Sequence, residues 1–289
     1  MTAAAPPAPQ PRRRLSVLGK ALRNVGLVLG AVIVVAMIAA ALGAPWIAPY
    51  DPDAQDVLLV LGTPDSVHWF GTDAFGRDVL SRVLWGARVS LYVGFVATAA
   101  GVVIGTVIGV ISGYYGGIVD RLVVAATDVL LSFPQLIMGL LLVAVLGASL
   151  TNLIIAIAVT AVPAFIRMAR GSTLAMRERD FVDACRSLGF SDFRIMFVHV
   201  LPNILDELVV MASLWLASAI RTESTLAFIG LSVPPPTATW GGIVREGFDN
   251  LLDGPWLALF PSLAILAVMI GLNMIGDGLR DASDPRAPQ

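Results

Sequence analysis

Long apolar runs without any charge alternate with shorter polar segments along most of the chain. Three of these runs cover residues 24–50, 89–119 and 129–166. A helix needs about 20 consecutive apolar residues to cross a bilayer, so each run is long enough for at least one crossing. The third run is too long for one crossing, and residues 147–149, Gly-Ala-Ser, supply a turn within it. The pattern therefore predicts an all-α membrane protein.

Six transmembrane helices follow from this pattern, and they divide the chain into segments. The predicted helices lie at 24–45, 89–119, about 121–146, about 151–169, 202–220 and 254–276. The predicted segments are a basic tail at 1–23, the first helix, an extracytoplasmic loop at 46–88, a core at 89–280 with the other five helices, and a tail at 281–289. A further loop is predicted at 221–253, where prolines and glycines cluster.

A polar segment at 171–203, called the polar island below, separates the fourth and fifth predicted helices. Its residues 174–188 show helical periodicity, with Phe181, Cys185 and Leu188 roughly along one stripe. Charged residues occupy most of the remaining surface of this helix. An apolar ridge on a polar segment indicates a docking surface.

Residues with special backbone preferences divide the polar island. Gly189 ends the first helix, because a helix C-terminus favours a left-handed residue that glycine adopts cheaply. Ser191 is placed to cap a second short helix that runs through His199. Pro202 suits the first turn of the span that follows. The polar island is thus predicted to be a short helix–turn–helix.

Glycines mark two further features of the sequence. Gly101, Gly105 and Gly109 are spaced by four residues, which leaves one face of the second helix smooth enough for close packing. Gly71 and Gly76 indicate a tight turn, and the amphipathic stretch after it is typical of a capped helix at the membrane interface.

Composition excludes several classes of protein. The chain is 57% hydrophobic and 14% charged, whereas a soluble chain carries about a quarter charged residues. One cysteine, Cys185, gives no intrachain disulfide, and His68 and His199 are predicted on opposite sides of the membrane. Lys20, the only lysine, has no P-loop around it. No catalytic constellation occurs, so we expect no enzyme activity, no cofactor or metal, and no binding of nucleic acid.

The distribution of the 19 basic residues predicts the orientation. Cytoplasmic loops of membrane proteins carry the excess of lysine and arginine. Five basic residues fall on the predicted outer side: Arg77, Arg82, Arg88, Arg221 and Arg245. The other fourteen fall on the side of the two ends and the polar island. We therefore expect both termini and the polar island to be cytoplasmic.

Part of the polar island resembles the EAA loop of ATP-binding-cassette (ABC) importer permeases. The resemblance lies in Asp183-Ala184-Cys185, then Gly189, then Leu201-Pro202-Asn203. An aspartate replaces the glutamate that is usual in the motif, and Cys185 is the second small residue. In that family the loop forms a coupling helix in a groove of a cytoplasmic ATPase. The resemblance therefore implies ATPase coupling through Asp183, Ala184, Cys185, Gly189, Leu201 and Pro202.

The resemblance extends over most of the chain, apart from about the first forty residues. It is to the second permease of the oligopeptide/dipeptide/nickel importers, and its motifs are Gly71–Asp78, Gly113-Tyr114-Tyr115-Gly116-Gly117, Leu226–Leu231, Pro235-Pro236, Trp240-Gly241 and Gly276–Asp281. It implies a type I importer fold in a bacterial inner membrane. The implied partners are a second homologous permease, two ATP-binding subunits, an extracytoplasmic substrate-binding protein, membrane lipid and a peptide substrate.

Three charged residues in or beside the predicted spans are candidates for the transport pathway or a gate. Asp128 follows the start of the third span, where it either pairs with Arg121 or faces the pore. Arg221 and Glu223 close the fifth span, where they either line an outer gate or are ordinary interfacial charges.

Other functions remain as alternatives. Within the family, the solute is alternatively nickel, glutathione or another small molecule. An ion-coupled secondary transporter would have paired acids at the midplane and two similar halves, and neither is found in the sequence. An intramembrane enzyme would need a nucleophile, for which the sequence offers no candidate.

Overall fold

The computed structural model describes residues 24–283, and nearly all of this part is helical. The predicted tail at 1–23 and most of the tail at 281–289 lie outside the described residues. The helices are α1 (Val25–Ile47), α2 (Val79–Tyr115), α3 (Gly117–Leu131), α4 (Gln135–Leu146), α5 (Leu150–Arg177), α6 (Asp180–Ser187), α7 (Asp192–Phe228), α8 (Trp240–Asp249) and α9 (Trp256–Ser283). Within residues 24–283 the isolated β-bridge is Thr72–Asp78.

Five helices of the described chain, α1, α2, α5, α7 and α9, are long and apolar enough to cross a bilayer. The pair α3–α4 adds a sixth crossing if the two are counted together, but they meet at an 88° bend. The break falls at 132–134, where Pro134 cannot continue the helical hydrogen bonds. Counted in this way, the six crossings agree with the sequence prediction. The predicted third span at 121–146 is not one straight helix in the structure.

The ends of several helices lie outside the charge-free runs that predicted them. Helix α2 begins at Val79, so its first turns belong to a long spanning helix and not to a separate interfacial helix. Helix α5 runs on to Arg177, and α7 runs on to Phe228. Charged residues in these extensions, among them the exposed Arg221 and the fully buried Glu223, do not stop the helices. Absence of charge therefore marks the apolar centre of a span, and not its ends.

Helices α2 and α5 pack through the predicted smooth face. A Cβ atom placed on Gly105 would lie 2.6 Å from Cβ of Phe165, and one on Gly109 would lie 2.6 Å from the backbone oxygen of Ile166. Both distances are shorter than any real contact, so the two backbones are too close for a larger residue. Glycines on this face are Gly101, Gly105, Gly109 and Gly113. The predicted glycine contact is confirmed.

The long helices run in alternating directions. The start of α1 lies beside the end of α9, where Asn24 Nδ2 donates to Asp281 Oδ2 at 3.4 Å. The end of α2 lies beside the polar island, where Tyr114 donates to Asp192. Both ends of the described chain are therefore on the same side of the bundle as the polar island, which we call the island end. The opposite side is the loop end.

Helix α8 closes the loop end. Trp240, at its start, is fully buried, and its indole nitrogen donates to the backbone oxygen of Val83 at 3.0 Å. Its backbone N–H lies 3.3 Å from the hydroxyl of Ser90. The predicted loop at 221–253 thus holds a short helix that is anchored to α2.

Candidate functional site

The central element of the polar island is α6, and its sequence explains its limits. Asp180 and Asp183 lie in the first turn and Arg186 in the last, which suits the helix dipole. Gly189 follows with φ of +76°. Its N–H bonds to the oxygen of Arg186, and the N–H of Phe190 bonds to the oxygen of Cys185. These two bonds form a Schellman motif, so Gly189 ends α6 for the reason the sequence indicated.

The first predicted helix of the polar island is split in the structure. Residues 174–177 form the last turn of α5, and Arg179 precedes α6 with an extended backbone. Within α6, Arg186 Nη1 donates to Asp183 Oδ1 at 3.2 Å.

The buried face of α6 differs from the predicted ridge. Val182 and Cys185 are buried against the bundle, whereas Phe181 and Leu188 are exposed. Cys185, which the periodicity placed roughly on one stripe with Phe181 and Leu188, therefore turns inward while those two residues face outward. A helix of two turns has too few residues for its periodicity to show which of two neighbouring apolar stripes turns inward.

An exposed apolar surface remains on the island end. Phe181, Leu188 and Phe193 have exposed fractions of 37%, 72% and 68%. We call these three residues the docking face. Asp183 and Ala184 lie exposed on the same helix as Phe181. Apolar side chains of this size beside charged ones are typical of a protein contact site.

The polar island is firmly attached to the transmembrane bundle. Tyr114, at the end of α2, donates to Asp192 at 2.7 Å, and the guanidinium of Arg186 lies 5.5 Å from the Tyr114 ring centroid. Val182 and Cys185 share one buried cluster with residues of α2, α5 and α7. A force applied to α6 therefore reaches three spanning helices through packed side chains.

Leu201 begins the regular α-helical part of α7, and Pro202 lies in the first turn of that part, as the sequence predicted. The predicted second short helix and the fifth span form one continuous helix from Asp192. A π-helical segment at Ile195–Val200 directly precedes Leu201. Proline lacks an N–H and crowds the carbonyl four residues earlier, and wider π turns accommodate such a break. Pro202 is exposed and Leu201 partly buried.

Asp128 forms an ion pair across two helices. Arg167 Nη2 of α5 donates to Asp128 Oδ1 at 2.9 Å, and both side chains are more than half exposed. Arg121, the partner suggested by the sequence, instead donates to the backbone oxygen of Gly117. The structure thus gives Asp128 a partner that the sequence did not identify.

Arg221 and Glu223 do not share a face of α7. Arg221 is exposed, whereas Glu223 is fully buried beside the hydroxyl of Ser224 at 3.3 Å. Successive helical residues are about 100° apart, so these two side chains point to nearly opposite sides. Of the two candidates, Arg221 is therefore the one with an exposed side chain.

A buried charge network at the loop end was missed by the sequence reasoning. Asp73 is fully buried, and its Oδ2 lies 2.6 Å from Arg77 Nε and 3.3 Å from Arg82 Nε. Arg77 also contacts Glu246 of α8 at 3.2 Å. Burial, and then the nearby Asp73, raise the pKa of Glu246, while the two arginines oppose this shift. The network joins the loop before α2 to α8, across 169 residues of sequence.

Asp73→Ala is expected to destabilise the protein by about 3 kcal/mol, because it leaves two buried arginines without their shared carboxylate. The measurement is thermal unfolding in detergent. Asp249→Ala, which removes an exposed carboxylate from the same end of the bundle, should leave the unfolding temperature within a degree or two of wild type. Equal unfolding temperatures for the two variants would show that the network does not stabilise the loop end.

Comparison with known proteins supports the prediction that this chain is an ABC importer permease. Residues 105–288 match the family of binding-protein-dependent transport system inner membrane components. Residues 17–61 match the N-terminal TM domain of oligopeptide transport permease C.

Individual relatives are similar along most of their length. The glutathione transport system permease protein GsiD of Escherichia coli O6:K15:H31 is 42% identical over 257 residues, which is 89% of this chain and 85% of that protein. The probable D,D-dipeptide transport system permease protein DdpC of Escherichia coli K12 is 42% identical over 260 residues, 90% of this chain and 87% of that protein.

A solved structure has the same fold. A chain of the MetNI methionine ABC transporter in an inward-facing conformation superposes with a TM-score of 0.58 and 20% identity, over 70% of this chain and 97% of that chain. At this identity the match shows the fold alone, which is the type I importer permease fold predicted from the sequence. The chain therefore belongs to the inner-membrane permeases of binding-protein-dependent ABC importers, in the branch with the oligopeptide permease C type of N-terminal segment.

Proposed function

We propose that this chain is one of two non-identical permeases that together enclose the pathway of an ATP-driven importer for short peptides. Two cytoplasmic ATPase subunits drive it, and an extracytoplasmic binding protein delivers the substrate. The chain itself hydrolyses nothing. Its role is to form one wall of the pathway and to transmit the ATPase motion to that wall.

The docking face is the observation that carries this proposal. Phe181, Leu188 and Phe193 project from the polar island on helices that are joined to α2, α5 and α7. An ATPase that moves this face would move the attached spans as one body, which is a recognised mode of switching. Asp183 and Ala184 contact the ATPase beside the apolar residues. Cys185 and Gly189 support the shape of α6 from within and from its end.

The orientation of the bundle supports a cytoplasmic docking face. The island end carries the ends of α2, α5 and α9 together with most of the arginines, and cytoplasmic segments are the ones rich in basic residues. The loop end then faces the binding protein. Both termini are cytoplasmic in this orientation.

The relatives favour peptides as the substrate. GsiD and DdpC bear names that refer to glutathione and to D,D-dipeptides, and both solutes are short peptides with free carboxylates. We extend this substrate class to the present chain. No feature of the described residues favours nickel.

Asp183→Lys tests the role of the docking face in coupling. Asp183 is exposed beside the apolar residues, so reversing its charge should weaken ATPase binding and reduce peptide uptake roughly tenfold, which corresponds to about 1.4 kcal/mol. The measurements are co-purification of the ATPase from membranes and uptake of labelled Ala-Ala by cells with the complete transporter.

Asp253→Lys is the matched control, since it reverses an exposed aspartate at the loop end. It should leave ATPase co-purification unchanged. Undiminished ATPase co-purification and uptake in the Asp183 variant would count against coupling through the polar island.

A further inference from the structure

We infer that Arg221 is a binding residue for the carboxylate of the solute inside the transport pathway. This inference rests on the proposed function and extends it, because it names the group of the substrate that the pathway recognises. Arg221 lies in α7, seven residues before the helix ends at Phe228. At 1.5 Å per residue it is about 10 Å below the loop end of the helix.

The neighbours of Arg221 on its own helix form a polar stripe. Ser218, Arg221 and Thr225 are spaced by three and four residues, so they lie on one face. The hydroxyl of Ser218 lies 3.1 Å from Arg221 Nη2, and the hydroxyl of Thr225 donates to the Arg221 backbone oxygen at 2.8 Å. The opposite face, with Ile220 and Glu223, is fully buried in the bundle. Around Arg221 the outward face of α7 therefore carries polar groups, with the exposed Leu214 and Phe228 seven residues away on either side.

The charge of Arg221 has no carboxylate beside it within residues 24–283. Its side-chain partner in this part of the chain is the neutral Ser218, and Glu223 points to the other side. An arginine at membrane depth costs about 2.5–3.5 kcal/mol on the insertion scale and nearly always faces a water-filled cavity or an anion. The exposed guanidinium of Arg221 thus requires water or an anionic ligand in front of it.

A cavity of about 350 Å³ adjoins Arg221, between α7, α8 and α9. This volume lies within the range of small-molecule sites and is enough for one end of a peptide. The cavity is lined mostly by apolar side chains and by a few polar ones. Small-molecule sites have this composition, in which the few polar groups fix the orientation of the ligand. The lining includes Arg221, Ser224, Thr225, Phe228, Ser262 and Met269.

A carboxylate is the group that this arrangement suits. The planar guanidinium forms two parallel hydrogen bonds with a carboxylate, and these charge-assisted bonds are about twice as strong as neutral ones. Ser224 and Thr225 line the same cavity. Every unmodified peptide carries a C-terminal carboxylate, so a single arginine can hold peptides of different sequence by the part that they share.

A cysteine at position 225 tests the inference without a binding protein. In a Cys185→Ala background Thr225→Cys carries the sole thiol, one turn from Arg221. We expect an anionic methanethiosulfonate reagent to modify it faster than a cationic one, and Arg221→Gln to lower this rate ratio about tenfold. Ser66→Cys in the outer loop is the control, and its ratio should not change with Arg221→Gln.

Protection by two probes identifies the ligand. Ala-Ala at millimolar concentration should slow modification at position 225, whereas Ala-Ala amide should not, and Arg221→Gln should remove the difference. Equal protection by the two probes, or no protection, overturns the inference. The inference is also overturned if Arg221→Gln leaves the ratio of anionic to cationic modification rates at position 225 unchanged. That result would indicate that Arg221 pairs with the second permease.

Uptake by the wild-type transporter separates this inference from the proposed function. If labelled Ala-Ala enters cells only when the whole transporter is present, the proposed function stands whatever the labelling shows. If no peptide enters, the proposed function itself fails.

Discussion

Leu188→Asp is expected to weaken ATPase association about 100-fold and to abolish peptide uptake. Leu188 is 72% exposed on the docking face, directly before the glycine that ends α6. Apolar anchors of this kind contribute about 2–4 kcal/mol to an interface, and 100-fold corresponds to about 2.7 kcal/mol. The aspartate would also bring an unpaired charge into the contact. Because Leu188 packs little against its own chain, folding and membrane insertion should be unaffected.

Leu252→Asp is the control for this prediction. Leu252 is 97% exposed at the loop end, so the same substitution there removes an exposed leucine on the opposite side of the membrane. Association can be measured as the affinity of the purified ATPase for the permease pair in nanodiscs. ATPase affinities that are the same for both variants would place the contact elsewhere than on α6.

Gly109→Val is expected to prevent the bundle from folding, with a loss of stability of about 5 kcal/mol or more. The first added carbon would lie 2.6 Å from the backbone oxygen of Ile166 and 2.8 Å from Cβ of Ala169. Neither atom belongs to a flexible side chain, so α2 and α5 would have to separate. Their separation would open the buried cluster that holds the polar island. The measurement is the yield and unfolding temperature of the monodisperse protein in detergent.

Gly171→Ala provides the contrast. Gly171 lies within α5, and a Cβ atom placed there has no neighbour within 4 Å. Alanine should therefore be neutral or stabilising by about 0.5–1 kcal/mol, since it favours the helix over the unfolded chain. A well-folded Gly109 variant with wild-type unfolding temperature would show that close glycine packing does not hold α2 against α5.

The sequence predicted those parts of the fold that depend on local pattern. Charge-free length located the centres of the spans, and the four-residue spacing of Gly101, Gly105 and Gly109 located the α2–α5 contact. Gly189 ended α6 as expected because a Schellman motif needs only neighbouring residues. These features are set by residues within one or two turns of each other.

Features that depend on distant partners were not predictable in this way. Arg77 meets Glu246 across 169 residues, and Asp128 meets Arg167 in place of the nearer Arg121. No local pattern encodes such pairs. The inward orientation of Cys185 likewise depends on how α6 packs against α2, α5 and α7. A helix of two turns has too few residues for its periodicity to predict this orientation.

The architecture explains how a chain without an ATP site can take part in driven transport. The docking face lies outside the bundle, but α6 is packed into the cluster formed by α2, α5 and α7. Helix α7 runs from the polar island at Asp192 to the cavity beside Arg221, as one continuous helix. In the proposed mechanism, movement of α7 at the polar island would move the proposed solute site near the other end of the same helix. Coupling would then pass through a rigid element, with the chemical step in the partner ATPase.

Reconstitution into liposomes tests this dependence on an external motor most directly. The permease pair, with its binding protein, is to be assayed for entry of labelled Ala-Ala, with and without the ATPase subunits and ATP. We expect accumulation only when both ATPase and ATP are present. Accumulation against a gradient by the permease alone would contradict the account.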